Sequence, residues 1–279
     1  MMNHKVIYLC MFFLPLLTGN LNCQDLFDSL RTIQYANYLY QSGSYREAID
    51  EYERFAFQFS AGDNARHRLV TSYRKAGLAG KAMIRINQLW DTPELVSPVV
   101  AKEFFALKII NTDTTNLLQN INNNHFLADA DRIFLSSAFL LMNDDYQKAH
   151  SILNGNINSS DIVISSFRTL AIEGLNLKHK SPALSGTLSA VVPGTGRFYT
   201  GQWQDGLMSL IMVGTSLWQS YRGFDRNGIN SPYGWIFGTI GTGFYISNIT
   251  GSIKSANRYN KINAERIRIR VKEVFINNI

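Results

Sequence analysis

From Tyr35 to about Leu177, apolar residues recur three and four positions apart among polar ones, and after Pro182 the chain turns apolar and glycine-rich. The first pattern predicts amphipathic helices, each with one face in a core and the other in water. Ala36, Leu39, Gly43, Tyr45, Ala48, Ile49, Tyr52 and Phe55 mark a first helix pair, and a second pair repeats the set. Gly77 lies 34 residues after Gly43, Ala82 after Ala48 and Ile86 after Tyr52, with Tyr73 and Leu89 answering Leu39 and Phe55. Small Gly43 and Ala48 let paired helices approach closely, while Tyr45, Tyr52 and Phe55 fill the groove to the next pair.

A further 34 residues falls on Asn111 and Asn116, which supply neither small residue, although Phe104, Leu107, Leu117 and Leu118 keep helical spacing. The fourth unit recovers at Leu140, Asp144, Tyr146, Ala149 and Leu153, and Asp161 to Leu177 supplies a closing helix. The unit resembles the tetratricopeptide repeat, whose period is about 34 residues. That resemblance implies an all-α solenoid of helical hairpins over residues 24–178, offering a concave surface to a peptide or partner protein. The plainer alternative is an all-helical domain with an accidental echo.

Three apolar stretches follow, Ala183 to Tyr199, Gly206 to Tyr221 and Tyr233 to Ile253. Trp203, Trp218, Tyr221, Tyr233 and Trp235 stand at their ends, as interfacial aromatics do. Residues 179–256 are therefore expected to form a small α-helical membrane module with two or three spans. Gly243, Ser247, Gly251 and Ser255 recur every fourth position and predict a helix-packing ridge of nearly bare backbone. Pro193, Gly194, Gly196, Arg197, Phe198, Tyr199 and Gly201 form the module's motif. Pro193 stops a helix there, the glycines permit a tight re-entry, and Arg197 reaches for water or for a lipid phosphate.

The run from Lys180 to Ala190, the motif with Asp205-Gly206, and Gly243 to Asn260 resemble a family of uncharacterised bacterial membrane proteins in which such a module follows helical repeats. The likeness covers about 80 residues. The shorter Gly-Arg-Phe-Tyr-x-Gly core is similar to the two-transmembrane domain family. Neither resemblance implies a reaction.

Charge divides along the same line. Residues 24–177 hold 14 Lys or Arg against 17 Asp or Glu, and residues 178–279 hold 12 against 4. The basic tail, residues 257–279, points to anionic headgroups more than to nucleic acid, since no base-stacking aromatics interleave it. Its own pattern fits neither helix nor strand cleanly. Residues 1–23, a weakly basic start followed by apolar Val6 to Leu17, read as a signal peptide cut after Cys23, with lipidation of Cys23 the alternative. These features place the protein at a bacterial membrane, the inner one with its repeats in the periplasm.

Chemistry is sparse. Cys10 and Cys23 are the two cysteines, and His67, His125, His150 and His179 stand singly without zinc-ligand spacing. The glycine motif lacks the Lys-Ser/Thr ending of a phosphate loop and the third glycine of a dinucleotide fingerprint. Asp225-Arg-Asn-Gly228 lacks the terminal Glu of a calcium loop. The sequence thus predicts no catalytic residue, metal or cofactor. It predicts a membrane-anchored interaction scaffold that binds a protein partner and membrane lipid. The alternative is a lipid-handling or enzymatic protein with its site among the glycine-rich spans.

Overall fold

The computed structural model describes residues 28–113, 115–155 and 162–279, and every element among them is helical. The chain is all-α. The leader expected at residues 1–23, with Cys23, lies outside the described residues. Contacts divide the chain between Leu117 and Leu118 into two compact units.

In the first unit, helices α1 (Ser29–Gln41), α2 (Tyr45–Gln58), α3 (Asp63–Lys75), α4 (Ala79–Leu89) and α5 (Pro98–Ile110) follow one another through short turns. Ala36, Leu39, Ala48, Ile49, Tyr52 and Leu69 form one apolar cluster where α1, α2 and α3 meet. Gly43 and Gly77 end α1 and α3 in the left-handed region, at φ +83° and +78°. Each stop is closed by a backbone bond reaching back five residues, Ser44 N to Leu39 O and Leu78 N to Tyr73 O, both near 3.0 Å. The same closure follows α5, from Asp113 N to Lys108 O, with Thr112 at φ +58°. There the conformation persists without the glycine that favours it.

Arg74 of α3 and Glu103 of α5 form a two-pronged ion pair, Nε to Oε1 at 2.7 Å and Nη2 to Oε2 at 3.1 Å. Both side chains are only 4% exposed. Such a pair gains little over an apolar one, but losing either partner strands a charge in the core. His67, half-buried beside Glu103, Arg74 and Arg68, has its pKa lowered, chiefly by burial.

Helix α6 (Leu117–Asn123) starts at the division, and the second unit continues with α7 (Asp129–Met142), α8 (Tyr146–Asn154) and α9 (Ile162–Leu175), then α10 (Pro182–Val191), α11 (Thr195–Tyr199), α12 (Trp203–Asn227) and α13 (Pro232–Asn277). Asp144 repeats the left-handed stop after α7, at φ +62°. At 46 residues α13 is about 70 Å long. Its first half packs on α12, α11 and α10, and its second half on α7 and α9. Ile267, Val271 and Phe275, four residues apart, are fully buried there, and Phe134 stacks between Phe167 and Phe275 at centroid distances of 5.5 and 5.3 Å. Arg268 pairs with Asp144 at 2.7 Å and Arg270 with Glu173 at 2.6 Å. The segment 257–279 is thus the end of a helix, and it joins residues on both sides of the expected 178/179 boundary into one unit.

The expected membrane module is corrected. Among the described residues no helix is long and apolar enough to cross a membrane. The transmembrane helices, and the membrane placement that followed from them, are withdrawn. The first apolar stretch breaks into α10, of ten residues, and α11, of five. The other two are long, but Asp205, Arg222 and the glycine, serine, threonine and asparagine between their large side chains dilute their hydropathy.

Two outcomes test this account. Glu103→Ala should cost about 3–5 kcal/mol in urea melts, and replacing both Arg74 and Glu103 by apolar residues should cost less. A His held below its ordinary 6.5 binds its proton more readily in the unfolded chain, so stability should be complete above pH 6.5 and fall as pH drops below it. His67→Gln should flatten that slope.

Candidate functional site

The motif from Pro193 to Gly201 joins α10, α11 and α12 by backbone contact. A Cβ on Gly194 would overlap the carbonyl of Gly206, and one on Gly196 the carbonyl of Ser185. Gly194 also takes φ +92° as the chain turns into α11, and Gly201, at +83°, ends it. Helices this close leave no room for water, so buried polar groups must satisfy one another. Asn248 of α13 accepts from Gly194 N at 3.0 Å and donates to Ser189 O at 3.1 Å. Ser189 Oγ accepts from Gly196 N at 2.9 Å and shares a 2.6 Å bond with Ser252 Oγ. Ser185 Oγ lies 2.9 Å from Gly196 O and 2.8 Å from Ser252 O, and its one proton serves either.

Pro193, Arg197 and Tyr199 are half-buried at the edge of this junction, and Phe198, though exposed, lays its ring against Gly206. Arg197 lies over Gly251 and donates to Asp205 O at 3.3 Å. Tyr199 places its ring 4.5 Å from the Lys180 ammonium while its hydroxyl accepts from Ser181 N. Of the expected ridge, Gly251 meets Arg197 and Ser255 meets Thr200 and Gln202. Gly243 has open space where a Cβ would stand, and Ser247 is exposed. The face that α13 turns inward runs instead through Gly234, Gly238, Gly241, Tyr245, Asn248, Ser252 and Ser255, in alternating steps of four and three. Steps of four advance about 40° beyond a full turn and drift around a helix, whereas steps averaging 3.5 stay nearly aligned. That heptad spacing was the signal that picks out Asn248 and Ser252. With its hydrogen bonds spent internally, the knot is a latch between helices.

A concavity open to solvent lies in the first unit. Glu53 of α2, Tyr73 of α3 and Lys81, Ile84, Arg85 and Gln88 of α4 line a pocket of about 290 Å³. Arg85 Nη2 holds Glu53 Oε2 at 2.6 Å, and Tyr73 OH donates to Glu53 Oε1 at 3.1 Å. Burial first, then the Glu53 charge, pushes the Tyr73 hydroxyl up to about 12, so at neutral pH it remains a donor. Lys81 is exposed, Ile84 is 62% exposed, and Phe57, one turn beyond Glu53, is 93% exposed. Sequence reading took Phe57 and Ile84 for neither core nor site, because nothing in helical periodicity separates an idle exposed apolar residue from a contact surface. Among the described residues no three His, Cys, Asp or Glu side chains gather to hold a metal ion.

Gly196→Ala should destabilise by about 3 kcal/mol or more, because its Cβ meets rigid backbone. Asn248→Ala should cost about 1–3 kcal/mol by stranding Gly194 N. Gly80→Ala, where the nearest atom is 4.0 Å away, should leave stability unchanged or raise it by up to about 1 kcal/mol. Thermal and urea melts of the three variants check this order. No family model, curated protein or solved structure matches the chain.

Proposed function

We propose that the chain is a protein-interaction scaffold whose tetratricopeptide-like helical hairpins hold a short segment of a partner protein against the Glu53–Tyr73–Arg85 pocket. The observation that supports this reading is the pocket's rim. Glu53, Tyr73 and Arg85 already pair with one another inside it, while an exposed ammonium, Lys81, and an exposed apolar side chain, Ile84, line its edge, and Phe57, 93% exposed, follows Glu53 one turn later on α2. A segment with a carboxylate next to a large apolar residue complements that rim, the carboxylate going to Lys81 and the apolar group to Ile84 and Phe57. The left-handed helix stops at Gly43, Gly77 and Thr112 recur about 34 residues apart, which supports reading these hairpins as similar units.

A display selection of random peptides on the full-length chain tests the reading. It should enrich Asp or Glu adjacent to Leu, Phe or Trp. Enriched peptides should lose about tenfold in affinity on Lys81→Glu and on Phe57→Asp, ~1.4 kcal/mol each. Enrichment of cationic peptides, or affinities indifferent to both substitutions, would exclude it.

A further inference from the structure

We infer that a second copy of this chain covers the hairpin made by α12 and the first half of α13, the two hairpins closing into a four-helix bundle. Within the hairpin, α12 turns Val213, Ser216, Ser220 and Gly223 inward, and α13 answers with Gly234 and Gly241. Gly223 abuts the backbone of Gly234, and Ser220 Oγ donates to Gly234 O at 2.8 Å. Small residues make most of the inner face, with Leu217 lying on Gly241 and Phe224 on Gly234, and most of the remaining large apolar side chains stay well exposed. Met208 is 58% exposed, Ile211 48%, Trp218 60%, Trp235 57%, Ile236 57% and Ile246 57%.

Fourteen large apolar residues between Leu207 and Ile246 are at least 37% exposed, leaving out Ile229 in the connecting turn. At about 200–250 Å² for each large side chain, they present on the order of 1,500 Å² to solvent. Monomers leave a few hundred Å² in one apolar patch, and a stable interface takes about 800 Å² from each partner. The area suffices for a dimer with surface to spare. A helix that is apolar around most of its girth belongs in an interior, and a lone two-helix layer has none.

Charge selects the occupant. No Asp, Glu, Lys or Arg lies between Asp205 and Arg222 or between Arg226 and Lys254, so the surface offers nothing to an acidic or basic partner. It complements an equally uncharged surface, and a second copy supplies one by two-fold symmetry. Gly214 and Gly243 have no atom within 4 Å of where a Cβ would stand. In a water-exposed helix each costs about 1 kcal/mol relative to alanine, and against a neighbouring helix each admits close backbone approach.

The test uses the full-length chain with Cys10→Ser and Cys23→Ser, studied by light scattering and sedimentation without detergent. The expected result is twice the chain mass at micromolar concentration. Ile211→Asp with Ile240→Asp should weaken the dimer at least 100-fold at unchanged helical circular dichroism, and Gln147→Asp, at an exposed position of α8, should leave it intact. Should the aspartate variant fail to fold, Ile211→Cys and Trp218→Cys give an independent reading, because oxidation should link two chains at those positions and not at a Gln147→Cys control. A chain that stays monomeric at 50 μM, a dimer indifferent to the aspartates, or a monomer that instead binds phosphatidylcholine vesicles would overturn the inference.

Discussion

Phe134 lies between the rings of Phe167 and Phe275, and that stack fixes the far end of the 46-residue helix α13 to α7 and α9. The second unit depends on it. A helix of that length has no stability of its own that could set its direction, so the packing at one end decides where the other end points. With Ile267, Val271 and Phe275 buried, α13 presents its small-residue face to α10, α11 and α12. The ion pairs Arg268–Asp144 and Arg270–Glu173 flank the stack on exposed side chains. Exposed pairs contribute about 0–1 kcal/mol each, so apolar burial dominates the attachment.

At the other end, close approach sets the chemistry. Helices that touch through Gly194, Gly196 and Gly206 exclude water from the junction, and every buried amide and hydroxyl must then find a partner in the protein. Ser185, Ser189, Asn248 and Ser252 meet that requirement together. This accounts for the polar residues inside an apolar run without invoking a ligand. It also shows how composition misled the reading of solvent. Glycine and serine rows serve helices packed in lipid and helices packed in protein by the same close contact, and hydropathy along each element decides against a span.

The first unit rests on repeated turn geometry. Its helix stops at Gly43, Gly77 and Thr112 share the left-handed conformation, and Asp144 repeats it in the second unit. Thr112 and Asp144 thus replace glycine without changing the backbone conformation of the stop. Asp144 belongs to a class that tolerates that conformation, whereas β-branched Thr112 holds it under strain.

The amino-acid pattern by itself determined the helical class, the pairing of α1 with α2 and of α3 with α4, the turns at Gly43 and Gly77, and the tight turn at Pro193–Gly196, because each follows from local periodicity and backbone freedom. It singled out Gly251 and Ser255 but not Ser252, since a four-residue step was followed where the packed face keeps a heptad. Tertiary structure decided the rest. That Arg74 meets Glu103, that the basic C-terminal segment is helix docked on Phe134, and that Glu53, Tyr73 and Arg85 share a pocket are all contacts between residues far apart in the chain. Local spacing holds no information about them, because burial and charge pairing are settled only when distant helices come together.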